Sequence, residues 1–213
     1  MSKYEEFAAQ REEVAYFMRR LYTQGLTTCS GGNLSLRVDA DTVLITPSAL
    51  DKGELRGDQI AMFTLAGENL TPQFKSSIET GMHLSVMRAR ADINAIVHAH
   101  PVTATSFAAM NMDVNVHLTA ESYAVLGTPK RAPYCIMGSD GLAAIVADCL
   151  KDCDVALMQN HGVICVGKTM LNAFDRLEVM EAAAKMTWIT ATMKAASPMT
   201  GDQVEEIQRT FRS

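Results

Sequence analysis

His98 and His100 stand two residues apart in Ile96-Val97-His98-Ala99-His100-Pro101, an apolar, β-branched run that reads as a strand ending at the proline. Side chains at i and i+2 leave a strand on one face, so both imidazoles face the same way. Two histidines on one face make half of a divalent-metal site, and the remaining ligands must come from elsewhere in the chain. Zinc takes imidazole nitrogen at about 2 Å, and catalytic zinc commonly keeps about three protein ligands and one open position. His161, in the polar turn Gln159-Asn160-His161-Gly162 between two apolar strands, is the best third ligand; His83 and His117 compete with it. Glu79 opens the helix predicted to feed the histidine strand, with His83 one turn later. It either caps that helix, where the dipole favours a carboxylate, or approaches the metal as a general acid and base.

A second group of residues suits an oxyanion. Thr28-Cys29-Ser30-Gly31-Gly32-Asn33, Thr46-Pro47-Ser48-Ala49 and Lys75-Ser76-Ser77 are turn segments rich in backbone N–H, hydroxyl and amide donors. They form a phosphate subsite only if the fold brings them together. No lysine stands out as a buried nucleophile, so a Schiff-base route is not indicated.

The elements that must position these residues alternate in type. Residues 3–24 read as an amphipathic helix closed by Gly25, whose missing Cβ suits a left-handed C-terminal turn. Residues 33–38 and 42–45 read as strands joined by Asp39-Ala40-Asp41, and 60–65 as a third, giving a meander before Gly67. Residues 77–90 carry helical periodicity with Ser76 or Ser77 placed to cap. Beyond Pro101 the sequence predicts helices to Met110 and over 121–126, a strand over 132–136 and a helix over 142–150. Strands over 155–158 and 163–166 follow, then a long helix over 171–195 with Trp188 on its apolar side. Strands grouped among helices in this order predict an α/β fold, a mixed sheet between helical layers.

Composition sets the remaining bounds. At 213 residues and 48% hydrophobic, with no repeat or linker, residues 1–213 read as one domain. A net charge of -5, few aromatics and no basic run argue against nucleic acid as a partner. No apolar segment approaches the roughly 20 residues a membrane span needs. The start of the chain lacks the basic segment and apolar block of a signal peptide. Five cysteines without a framework spacing fit a reducing cytoplasm, and Cys149 and Cys153 read as small buried hydrophobes.

In order, Ser30-Gly31-Gly32-Asn33-Leu34-Ser35, Ile45-Thr46-Pro47-Ser48, Lys75-Ser76-Ser77-Ile78-Glu79 with His83, His98-Ala99-His100-Pro101 and Asn160-His161-Gly162 resemble the class II aldolase/adducin head family. The likeness is greatest to its bacterial L-fuculose-1-phosphate aldolases and covers nearly the whole chain. It implies a three-layer α/β/α sandwich with a central, largely antiparallel mixed sheet. It also implies a cyclic homotetramer with active sites between neighbouring subunits. The metal, Zn2+ or another divalent ion such as Mn2+ or Co2+, is implied at His98, His100 and His161. Glu79 is implied to touch the resting metal and then leave it to shuttle protons. The implied phosphate positions are Gly32 and Asn33, Ser48 and Ala49, and Ser77 and Ile78.

Two of these depart from the family pattern: Ala49 replaces a glycine, and Ile78 replaces the second serine of a pair. A hydroxyl lost from a charged phosphate removes about 1.5–3 kcal/mol of binding. The tyrosine that assists protonation in the aldolases has Tyr123 as its candidate here, with Glu121 offered for the same region. Phe211, near the C-terminus, falls among the tail residues on which specificity depends.

The expected reaction is cleavage of a ketose 1-phosphate, L-fuculose 1-phosphate or a related deoxyketose phosphate, to dihydroxyacetone phosphate and an aldehyde. A metal-stabilised enediolate is its costly intermediate, and a divalent cation lowers its energy by several kcal/mol. Pentulose-phosphate 4-epimerase, sugar-acid phosphate decarboxylase and thioribulose-phosphate dehydratase chemistry use the same logic. A decarboxylase needs a cation for the extra carboxylate; Lys130 and Arg131 are the candidates, although they read as a solvated turn. The alternative of another class is a non-catalytic interaction domain like the adducin head, which the intact histidine set opposes.

Overall fold

The opening helical segment breaks once, so the computed structural model, which describes residues 3–212, begins with α1 (Lys3–Glu6) and α2 (Ala8–Thr23) separated at Phe7. Met1, Ser2 and Ser213, which the sequence assigns to the same domain, lie outside the described residues. Gly25 closes α2 with φ +69°, and the Leu26 and Gly25 N–H groups donate back to the carbonyls of Leu21 and Tyr22. This is the paired C-terminal bond pattern that a left-handed glycine permits.

The strands follow as β1 (Asn33–Arg37), β2 (Thr42–Ile45) and β3 (Ala61–Thr64). Asp39 sets the first turn by accepting from the Asp41 and Thr42 N–H groups. Next come α3 (Thr80–Ala89), β4 (Ala95–Ala99), α4 (Val102–Met110), α5 (Ala120–Leu126) and β5 (Lys130–Ala132). The chain ends with α6 (Asp140–Cys149), β6 (Val155–Met158), β7 (Gly162–Gly167), α7 (Met170–Met193) and α8 (Gly201–Phe211). The strands form one seven-stranded sheet in the order β3-β2-β1-β4-β7-β6-β5. Every neighbouring pair is antiparallel except β5 and β6, which are parallel.

Both faces of the sheet are covered, which is why β4 is a continuous buried run rather than an alternation. Val97 and Ala99 face one core with Leu34, Leu157 and the apolar sides of α2, α4 and α7. Ile96 faces the other with Ile164, Met82 of α3 and Leu142 of α6. The result is the three-layer α/β/α arrangement with a largely antiparallel sheet. No helix among the described residues is long and apolar enough to cross a membrane.

Several expectations shift. The helix expected over 77–90 starts at Thr80, and neither Ser76 nor Ser77 caps it: Glu79 holds the N-cap position without a side-chain cap bond, and the Ser77 hydroxyl accepts from the Glu79 N–H instead. The strand expected over 132–136 is the short edge strand β5, because Pro133 has no N–H to continue the ladder. Trp188 is 61% exposed rather than on the buried side of α7. Helix α8 was not expected at all; a Thr200 and Gln203 capping box starts it. All five cysteines are free, and the Cys153 thiol donates to the Cys149 carbonyl.

Candidate active site

The register of the central strands builds the site. Asn33 of β1 pairs opposite His98 of β4, and His98 pairs opposite Ile164 of β7. His98 is fully buried, and its Nδ1–H donates to the Val163 carbonyl at 2.9 Å, which leaves the Nε2 lone pair directed away from the strand. His100 follows the last strand residue, and its Nε2 lies 3.2 Å from Nε2 of His98. His161 comes from the turn between β6 and β7, where Asn160 takes φ +55°. Its ring centroid is 4.9 Å from that of His98 and 5.6 Å from that of His100. Gly162 makes this approach possible, since a Cβ there would lie 2.5 Å from the His100 ring and 2.6 Å from the Ala99 carbonyl oxygen.

One nitrogen from each of the three rings falls within a common 4.8 Å. Glu79 reaches the same point from the start of α3, with Oε2 3.3 Å from His98 Nε2 and Oε1 2.8 Å from His161 Nε2. Despite that second distance, Oε1 is buried without a hydrogen bond of acceptable geometry, and His161 Nδ1 is likewise unbonded. Convergent imidazole nitrogens beside a buried carboxylate oxygen with spare lone pairs are the donor set a divalent cation takes. The residues fit the metal that the sequence predicts.

The electrostatics favour positive charge here. Burial pushes the Glu79 carboxyl up, but the His98 charge, the close approach of the His161 and His98 rings and the Asn33 hydrogen bond more than offset it and hold it well below the usual carboxylate range. Burial pushes His98 down, yet Glu79 beside it brings it above the usual histidine value. Burial, together with His98 and His161, lowers His100 to about 4, so its ring is neutral at pH 7.

His83 is not a ligand. Its Nδ1 meets the Ser35 hydroxyl at 2.7 Å and its Nε2 meets Asn33 Oδ1 at 2.5 Å. Burial lowers it to about 3, so it is neutral. The Asn33 oxygen can only accept, which puts the His83 proton on Nε2 and makes Ser35 the donor to Nδ1. Asn33 Nδ2 then donates to Glu79 Oε2 at 2.7 Å, completing a directed chain from Ser35 to the carboxylate. His117 packs on Tyr123 instead, ring centroids 5.0 Å apart.

The three donor-rich turns converge on the other side of Glu79. The Lys52 N–H donates to the Cys29 carbonyl, the Ser48 N–H to the Lys75 carbonyl, and Asn33 Nδ2 to the Ser77 hydroxyl. Gly32 takes φ +67°, and a Cβ on it would press against the His98 carbonyl oxygen at 2.8 Å. Gly32, Asn33, Ser48, Ser77 and Ile78 line one cavity of about 230 Å³ together with Glu79, His100 and His161. Ala49 stands next to Ser48 but is exposed, with φ +62°.

Other candidates lie apart from this cavity. Glu121 is exposed, and the Tyr123 hydroxyl donates to Gln208 of α8. Lys130 pairs with Asp152 and Arg131 with Asp113, on an edge strand whose first residues lie toward the far end of the sheet. Phe211 is exposed at the end of α8.

Two residues were not anticipated. Lys52, which does not stand out in the sequence, is 2% exposed and lines the cavity; nothing in Asp51-Lys52-Gly53 distinguishes it from a surface turn. Glu181 of α7 is buried and accepts from the Thr103 and Ala104 N–H groups, anchoring α4 directly after the histidine pair. A legible signal was Pro101, which has no side-chain acceptor to cap α4.

A family model described as Class II Aldolase and Adducin N-terminal domain matches residues 12–188. The chain is 35% identical over 176 residues to an L-fuculose phosphate aldolase of Methanocaldococcus jannaschii, covering 83% of this chain and 94% of that one. It is 31% identical over 206 residues to a 5-deoxy-D-ribulose 1-phosphate aldolase of Bacillus thuringiensis, covering 95% of each. A solved structure described as L-fuculose 1-phosphate aldolase superposes with a TM-score of 0.86 at 28% identity, covering 95% of this chain and 96% of that one.

Proposed function

The chain belongs to the class II aldolase and adducin N-terminal domain family, and from that premise we propose that it is a metal-dependent aldolase acting on a ketose 1-phosphate. The substrate is L-fuculose 1-phosphate or a related deoxyketose phosphate, and the products are dihydroxyacetone phosphate and an aldehyde. The observation that carries this reading is the Glu79 carboxylate, oriented by Asn33, against two imidazoles of the three-histidine cluster, His98 and His161.

His98, His100 and His161 would hold the divalent cation, zinc first among the candidates, and Glu79 would contact it in the resting state. When bound, that cation supplies Lewis-acid stabilisation of the oxyanion that develops as the carbon–carbon bond breaks. Glu79 removes or returns the proton at the enediolate carbon. Asn33 and His83 keep its oxygens aimed, and Gly32, Ser48 and Ser77 bind the phosphate with backbone and hydroxyl donors. Ala49 and Ile78 hold the two family positions whose contribution here is reduced. Lys130 and Arg131 pair with Asp152 and Asp113 and neither lines the cavity, so neither stands beside a substrate carboxylate there.

The enzyme is cytoplasmic and homotetrameric, with active sites between subunits. An exposed apolar patch of Val102, Met110 and Trp188 supports self-association. Tyr123 and Glu121 then serve across a subunit boundary, and light scattering is expected to give the mass of four chains.

A zinc-supplemented cleavage assay over ketose 1-phosphates and their unphosphorylated forms, coupled to detection of dihydroxyacetone phosphate, tests the reading. Cleavage abolished by a chelator is expected. No cleavage from metal-loaded protein overturns the aldolase assignment in favour of epimerase, decarboxylase or dehydratase chemistry, and failure to hold metal favours a binding module.

A further inference from the structure

Lys52 is a buried cation without a counter-charge. It is 2% exposed, it forms no ion pair among the described residues, and its ammonium donates to the Pro47 carbonyl. An ammonium has three N–H donors, so this contact leaves donors to spare. Burying an unpaired charge is strongly unfavourable unless an anion compensates it. Burial by itself lowers this lysine to about 8, which still leaves it mostly charged at pH 7. The residue lines the cavity in which Asn33, Ser48 and Ser77 meet, and its own N–H ties its turn to the Gly31-Gly32 loop through Cys29. Its ammonium anchors on the carbonyl immediately before Ser48.

We propose that Lys52 is the cationic residue of the anion subsite, holding the phosphate monoester of the substrate together with Ser48, Ser77 and Asn33. This rests on the sugar-phosphate reading above. It also accounts for Ile78, which is 59% exposed at the cavity and has no hydroxyl to offer: one charged donor replaces one neutral donor. Several donors around one charge suit a phosphate with its three terminal oxygens.

The test is calorimetric titration of inorganic phosphate into the zinc-supplemented protein, comparing wild type with Lys52→Met and Lys52→Gln. The expected result is phosphate affinity at least about tenfold weaker in both variants, with KM for the ketose 1-phosphate raised more than kcat is lowered. A purely structural lysine lowers the melting temperature and leaves phosphate affinity within twofold, which overturns the proposal. If neither variant folds, the wild-type Lys52 Nζ resonance in a ¹⁵N-lysine sample decides: a shift that saturates with phosphate supports it, and no shift overturns it. Wild-type protein that cleaves ketose 1-phosphates while Lys52→Met binds phosphate normally removes Lys52 alone. Wild-type protein that neither binds phosphate nor cleaves these substrates removes the sugar-phosphate reading with it.

Discussion

The two sides of the cavity are built differently. On the histidine side, His98 is fully buried on a central strand with its ring fixed by Val163, and His100 and His161 close around it at positions enforced by Gly162. On the anion side, Ser48, Lys52, Ser77 and Ile78 come from turns held together by a few backbone bonds, with Ala49 strained and Ile78 exposed. The rigid side carries groups whose chemistry tolerates little displacement, and the loop side carries groups that can be exchanged to suit a different substrate. Under the proposed function, the histidine and Glu79 positions on and beside the sheet set the reaction type, and the turns set the substrate choice.

The sharpest way to break this contrast is to remove a ligand. His98→Ala or His161→Ala is expected to lose stoichiometric metal, measured by elemental analysis, and to lower turnover by at least about 10³-fold. Full metal retention in either variant removes that residue from the ligand set. Glu79→Gln is expected to keep fold and metal but lose about 10²–10⁴ in kcat; full activity reduces Glu79 to the helix start it also occupies.

Changes on the turns should be smaller and should act on binding. Ile78→Ser restores a hydroxyl at the cavity, and KM for the phosphorylated substrate is expected to fall by about tenfold or more, following the strength of a hydrogen bond to a charged group. An unchanged KM places Ile78 outside the phosphate contacts. The smallest effect belongs to Ala49→Gly, which relieves the left-handed φ of +62°. Because glycine also loses more chain entropy on folding, the net gain is at most about 1 kcal/mol, a melting temperature higher by about 2–4 °C. A lower melting temperature contradicts the strain.

The same division explains what could be read from the sequence. His98 and His100 were legible because strand periodicity fixes their common face, and the buried β-branched run around them has few alternatives. The meander and the long helix were legible for similar reasons of periodicity. Lys52 was not, because its burial depends on three turns meeting, a property of no local window. His83 looked like a competing ligand because residue type does not reveal that Ser35 and Asn33 already occupy both its nitrogens. Trp188 was misplaced because a helix of 24 residues runs past the core it packs on, so its apolar pattern continues where no layer covers it. The offset of β5 reflects an edge strand of three residues that starts where pairing with β6 begins and stops where Pro133 removes the next N–H.

In the proposed reaction, Glu79 moves the proton at the enediolate carbon while the histidines hold the metal. Exchange of the carbon-bound hydrogens of dihydroxyacetone phosphate in D2O, followed by proton NMR with wild type and with metal-loaded Glu79→Gln, tests it without needing the aldehyde partner. Wild type is expected to wash out one hydrogen stereospecifically, and Glu79→Gln, with its metal retained, to do so at least about 10²-fold more slowly. Exchange at the wild-type rate in Glu79→Gln would contradict it.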